Sequence, residues 1–191
     1  MNPLYEAAVE LQSFMLNRGW RFCFIGGLVV QRWGEPRLTR YIDLTLMTGI
    51  DREEQFIRDL LAQFSARRPD AERFALQTRV LVILASNETP VDIALGAFDF
   101  DESVISRATP FEYAPGVSLV TCSAEDLVVL KAVAGRAMDW QDVKGIIARQ
   151  SGKLEWNYIR TQLKRLCEVK EEPEILEQVE ALRQRLDRPI G

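Results

Sequence analysis

Two aspartates each stand alone in an apolar run, at Ile42-Asp43-Leu44 and Val91-Asp92-Ile93. Strand alternation sends Ile42, Leu44 and Leu46, or Val91, Ile93 and Leu95, to one side and the carboxylate to the other. Asp is depleted in strands, so two such placements ask for a reason. A solvent-facing sheet surface is the plain reason, and a pair of ligands for a hard cation is the chemical one. Upstream, Phe22, Phe24 and Ile25 run into Gly26-Gly27. Without Cβ atoms the two glycines let the chain turn tightly and let an anion approach backbone N–H groups. A helical segment from about Leu28 to Trp33 would aim its unsatisfied N–H donors the same way. Residues 22–46, FCFIGGLVVQRWGEPRLTRYIDLTL, thus form a phosphate-binding turn leading into a candidate metal ligand. Without the carboxylates the glycine pair is a bare strand-to-helix turn.

The flanking pattern says what must position these groups. Asn2-Pro3 opens a helix whose apolar face is Leu4, Ala7, Ala8, Leu11, Phe14 and Met15, ending near Gly19. Strands are expected over Trp20 to Ile25 and Tyr41 to Met47. Asp51 is expected to cap a helix of about fifteen residues with Phe56, Ile57, Leu60, Leu61 and Phe64 inward, stopped by Arg67-Arg68-Pro69-Asp70. Val80 to Ala85 and Pro90 to Leu95, joined by a polar turn, predict a hairpin that lays Asp92 beside Asp43. Phe111 to Tyr113 and Val117 to Val120, around Ala114-Pro115-Gly116, predict another. From Ser123 the periodicity is helical, with Ser123 and Asp126 spaced as a capping box. Asp139 and Asp142 repeat that spacing as the next helix cap. Lys131 falls in a mostly apolar helical stretch, where it either meets a phosphate or snorkels to the surface. The fold class is therefore α/β (α+β): a mixed sheet with helices over residues 1–121 and a helical subdomain over 122–191, with a cleft between them.

Composition narrows the chemistry. At 191 residues and 47% hydrophobic, the chain can bury a real core. A net charge of −4 argues against nonspecific coating of nucleic acid, which relies on counterion release at basic surfaces. Arg21, Arg32, Arg37 and Arg40 nevertheless lie near the glycine turn in sequence, whereas Arg67, Arg68, Arg73 and Arg79 have the character of a solvated charge run. There is no histidine, which excludes Ser-His-Asp and Cys-His hydrolysis within the chain. Cys23, Cys122 and Cys167 are widely spaced and odd in number, so neither a zinc site nor a disulfide framework follows. Glu6, Glu10 and Gln12 break up any secretory signal, and no apolar run has membrane length, so the expected compartment is the cytoplasm.

The order of these features resembles the nucleotidyltransferase superfamily, which has the fold of DNA polymerase beta. That pattern runs from a strand and Gly-Gly through an Arg-x-Thr segment, Arg37-Leu38-Thr39, to a short acidic strand and a later strand carrying a third carboxylate. Ser123-Ala-Glu-Asp126-Leu-Val-Val-Leu-Lys131 and Arg136-x-x-Asp139-x-x-Asp142 look more specifically like AbiEii-type nucleotidyltransferase toxins of toxin–antitoxin systems. The resemblance implies transfer of an NMP from a nucleoside triphosphate to an acceptor, with RNA, tRNA or protein as acceptor classes and an antitoxin protein as partner. It further implies Asp43 and Asp92 as ligands of Mg²⁺ and as catalytic carboxylates, together with Lys131. Gly26, Gly27, Arg37 and Thr39 would bind the nucleotide.

One position departs from the pattern. Tyr41 stands where the family has the first metal-binding Asp, and a phenol is a poor ligand for a hard cation. Three carboxylates become two, and occupancy by a second ion should fall. A second reading therefore stays open, in which the chain binds a nucleotide or a partner without transfer. Asp99-Phe100-Asp101 is not expected to substitute, because no glycine turn precedes it at suitable spacing and Asp101 more naturally opens a helix or turn.

Overall fold

The computed structural model describes residues 2–186. In chain order the elements are α1 (Pro3–Leu16), β1 (Phe22–Ile25), α2 (Gly26–Trp33), β2 (Ile42–Met47), α3 (Glu53–Gln63), β3 (Ser65–Ala66), α4 (Ala71–Thr78), β4 (Val80–Leu84) and β5 (Pro90–Gly96). There follow α5 (Asp99–Ser106), β6 (Thr109–Ala114), β7 (Val117–Thr121), α6 (Ala124–Ala134), α7 (Ala137–Arg149), α8 (Trp156–Lys170) and α9 (Glu174–Leu186). The chain divides into two compact units, one of residues 1–28 and 38–122, the other of residues 29–37 and 123–191.

The first unit is built on a seven-stranded sheet of order β3-β4-β5-β2-β1-β7-β6. The sheet is mixed: β2/β5 and β1/β7 are parallel, and the remaining pairs are antiparallel. The alternation read from sequence is the one that folds. Ile42, Leu44, Val91, Ile93, Leu81 and Ile83 are fully buried and form the centre of the core with Phe24. Gln12 ties α1 to β7, its Nε2 donating to Ser118 O at 2.7 Å and its Oε1 accepting from Val120 N–H at 2.9 Å.

Some expected boundaries shift for identifiable reasons. Asp51 does not cap α3; it adopts a left-handed φ of 58°, and Arg52 precedes the first helical residue without a side-chain cap. The chain also forms α4 after the Arg-Arg-Pro-Asp break, because Ala71 and Ala75 make a narrow buried stripe on an otherwise polar segment. Tyr41 lies outside the strand and is 52% exposed.

The second unit packs α6 through α9 with the segment 29–37. Ser123 caps α6 as expected, its Oγ accepting from Asp126 N–H at 3.1 Å. The fully buried Asp126 carboxylate in turn accepts from Ser123 Oγ and from the Tyr158 hydroxyl. Gly34 allows α7 to come close, since a Cβ there would lie 2.9 Å from Ile146 Cγ1. Arg149 donates to the Gly34 carbonyl and Gln150 to that of Trp33.

Candidate functional site

The parallel register of β2 and β5 aligns Asp43 with Asp92. Adjacent strands lie about 4.8 Å apart, so the two carboxylates leave one face of the sheet side by side. Both residues are half-buried. Asp92 arrives by the predicted hairpin, and it is the central inference from sequence that this register realises.

On the other flank of Asp43, β1 runs antiparallel with Ile25 opposite it. The chain turns into α2 at the next residue, where Gly26 takes a left-handed φ of 69°. A Cβ at Gly26 would lie 2.0 Å from Asp43 Oδ2 and 2.6 Å from its Cβ and Cγ. The space that this glycine leaves open is filled by the Asp43 carboxylate. Gly27 is buried behind it in the first turn of the helix. The positive end of that helix favours a carboxylate or a phosphate alike.

The row across the sheet continues on the far side of Asp92. Val82 stands opposite Asp92, and the Arg67 N–H donates to Val82 O at 3.1 Å just past β3. From there Arg67 reaches back, with Nη2 2.6 Å from Asp92 Oδ1. The pair is close but lacks hydrogen-bond geometry, so this buried oxygen has no hydrogen-bond partner. The Arg67 guanidinium carbon also lies 5.9 Å from the centre of the Tyr41 ring. Arg67 is the residue that sequence reasoning missed, having grouped it with solvated charge. Arg68 and Arg73 of that group do pair locally, with Asp70, whereas Arg79 is a part-buried tie that donates to Glu53 and to the carbonyls of Gly49 and Leu95. Thr39 donates from Oγ1 to the Tyr41 carbonyl at 3.2 Å and so shapes the loop that enters β2.

Arg37 and Lys131 belong to the second unit, where Asp142 joins them. Arg37 Nε and Nη2 each donate to Asp142 at 2.8 Å in a bidentate pair. Lys131 Nζ lies 2.9 Å from Asp142 Oδ2 and donates to Asp139 Oδ1 at 2.8 Å. The ammonium is therefore neither snorkelling nor held by solvent; it is buried between two acids. Asp139 also accepts from the Arg136 N–H at 3.3 Å, as a helix-capping residue does. Asp142 is not a cap but the hub of the network. Burial pushes its carboxyl up, yet hydrogen bonds from Arg37 and Lys131 prevail and hold it below its ordinary value.

Asp101 is the helix-opening residue anticipated from sequence. Its Oδ2 accepts from the N–H groups of Ala97 at 2.9 Å and Phe98 at 3.0 Å at the start of α5. Among the described residues no group of three or more Asp, Glu, Cys or His side chains is disposed to hold a metal ion. What the first unit offers is a carboxylate pair, with the Arg67 guanidinium against one oxygen of Asp92, and a glycine turn. That set fits a hard cation held by one or two carboxylates with phosphate and water completing its shell, as Mg²⁺ commonly is. It does not fit a closed all-protein cage.

A sheet of this topology carrying paired carboxylates beside a glycine turn defines the nucleotidyltransferase fold. The chain belongs to the family described as "Nucleotidyl transferase of unknown function (DUF2204)", whose model matches residues 5–187. Among solved structures it is similar to an antigenic nucleotidyltransferase-like protein from Paracoccidioides brasiliensis, with TM-score 0.51 and 17% identity over 93% of this chain and 92% of that one. It is also similar to the lincosamide antibiotic adenylyltransferase LnuA, solved with lincomycin bound, with TM-score 0.51 and 12% identity over 74% of this chain and 94% of that one. A search of curated proteins finds no significant match. Among the described residues no helix is long and apolar enough to cross a membrane.

Proposed function

We propose that this chain transfers a nucleoside monophosphate from a nucleoside triphosphate to an acceptor hydroxyl at the Asp43–Asp92 pair. The observation that carries the reading is the in-register placement of these carboxylates against Gly26. Asp43 and Asp92 would hold Mg²⁺, which when bound neutralises charge on the triphosphate and the leaving pyrophosphate. The first turn of α2, opened by Gly26 and Gly27, presents N–H donors to phosphate oxygens. Asp92 takes the proton of the acceptor hydroxyl as its oxygen bonds to the α-phosphorus. The bond from that phosphorus to the bridging oxygen breaks, and pyrophosphate leaves with its electron pair. Thr39 positions the loop entering β2. Arg37, whose side chain is 30% exposed, offers its guanidinium to phosphate. Lys131 positions Asp142, and through it Arg37.

The finer relation to AbiEii-type toxins belongs to the same proposal. It rests on residues 123–131 and 136–142, and it names RNA, tRNA or protein as acceptor and an antitoxin as partner. A nucleoside triphosphate donor goes with a cytoplasmic setting.

A second reading, nucleotide binding without transfer, is favoured by the exposed Tyr41 and by Arg67 against Asp92. Incubation with Mg²⁺, each α-labelled nucleoside triphosphate and pools of tRNA and protein separates the two. Label transfer that disappears in Asp43→Ala supports the enzyme. Calorimetric binding with no transfer, converted to transfer by Tyr41→Asp, supports the second reading.

A further inference from the structure

Two carboxylates in register on adjacent strands repel each other and need nearby positive charge. In the first unit one such charge is built in. Arg67 is fixed to the sheet by its N–H bond to Val82, the strand partner of Asp92, and its guanidinium lies 2.6 Å from Asp92 Oδ1. The same guanidinium faces the Tyr41 ring at 5.9 Å, within cation–π range. The side chain that would bring a third carboxylate is thus a phenol, and a cation stands beside that phenol and on one of the two remaining acids. A guanidinium is permanently charged, and it cannot share an oxygen with a divalent ion without repulsion.

We propose that Arg67 serves as the site's second cation, taking the charge-balancing place of one metal ion and limiting the Asp43–Asp92 pair to a single divalent ion. The arrangement rests on the reading of these aspartates as metal ligands. It makes Arg67 a positioning residue: it holds the Asp92 carboxylate in place and sets how tightly the pair binds metal.

The test is a Mn²⁺ titration of the full chain followed by electron paramagnetic resonance, with no nucleotide present. Wild type should take up one ion per chain at this pair. Arg67→Gln should bind Mn²⁺ at least about tenfold more tightly, the low end of what a full charge at this range does to a carboxylate. Arg67→Lys should behave as wild type. Arg67→Gln combined with Tyr41→Asp should take up two ions. Equal affinity in wild type and Arg67→Gln, or two ions in wild type, overturns the proposal; the wild-type count stands even if a variant fails to fold. Asp43→Asn and Asp92→Asn report on the underlying reading separately. If neither weakens Mn²⁺ uptake, the aspartates are not metal ligands and both readings fall. If both weaken it while Arg67→Gln changes nothing, only the role of Arg67 falls.

Discussion

The Asp43 carboxylate occupies the space that a side chain at Gly26 would need, with Oδ2 2.0 Å from where the Cβ would stand. The glycine and the acid are therefore one structural feature, joined by the antiparallel register that sets Ile25 against Asp43. Gly26→Ala should fail twice over, through the clash and through a φ of 69° that a side chain resists. The expected cost is at least about 1 kcal/mol of folding stability, read from urea unfolding. Metal uptake should fall with it, because Asp43 must move. A variant with wild-type stability and uptake would show that Asp43 does not depend on this glycine.

Asp142 predicts a pH dependence of stability. Its folded value lies below the ordinary 3.8, so its contribution is fully present above 3.8 and fades as pH falls through the lower folded value. Asp142→Asn should cost about 3 kcal/mol near neutral pH, because it weakens a buried ion pair. The gap between the wild-type and variant urea midpoints should narrow in acid below the ordinary value. A gap independent of pH would contradict the assignment.

Lys131 and Arg37 share Asp142 but should respond differently. Lys131 is buried between two acids and acts on nucleotide only through Arg37, so Lys131→Met should lower stability by about 2–4 kcal/mol and raise the apparent KM for nucleotide less than loss of Arg37 does. Arg37 is partly exposed, so Arg37→Gln should raise that KM. Steady-state kinetics alongside thermal unfolding checks both. A KM raised more by Lys131→Met than by Arg37→Gln, without destabilisation, would restore a direct phosphate contact.

Asp101 serves as the control carboxylate. Its bonds to Ala97 and Phe98 make it a cap for α5, so Asp101→Ala should cost about 1 kcal/mol and leave Mn²⁺ uptake unchanged. Reduced uptake would show that this second Asp-x-Asp contributes to the metal site after all.

The sheet was largely legible in the sequence because period-two burial imposes a visible pattern, and an Asp inside that pattern stands out at positions 43 and 92. The hairpin turn residues account only for the pairing of β4 with β5; the parallel pairing of β5 with β2, which sets Asp92 beside Asp43, has no local turn signal. Short polar elements such as α4 and β3 were not legible: two buried alanines and a two-residue strand leave almost no periodic signal. Arg67 was hidden for a related reason. Its meaning comes from a strand register, which no local spacing encodes, and it sits in a run of arginines whose other members pair elsewhere. Lys131 showed as an anomaly in an apolar helix, but its two partners lie beyond the turn at Gly135, on α7. Arg136-x-x-Asp139-x-x-Asp142 was the signal that could have identified them.

Transfer from the α-phosphorus at Asp43 and Asp92 can be followed with one triphosphate carrying either an α or a γ label. An acceptor should gain the α label only, the γ label should leave in pyrophosphate, and Asp43→Asn and Asp92→Asn should each abolish both events. An acceptor gaining the γ label, or α transfer surviving in both aspartate variants, would contradict it.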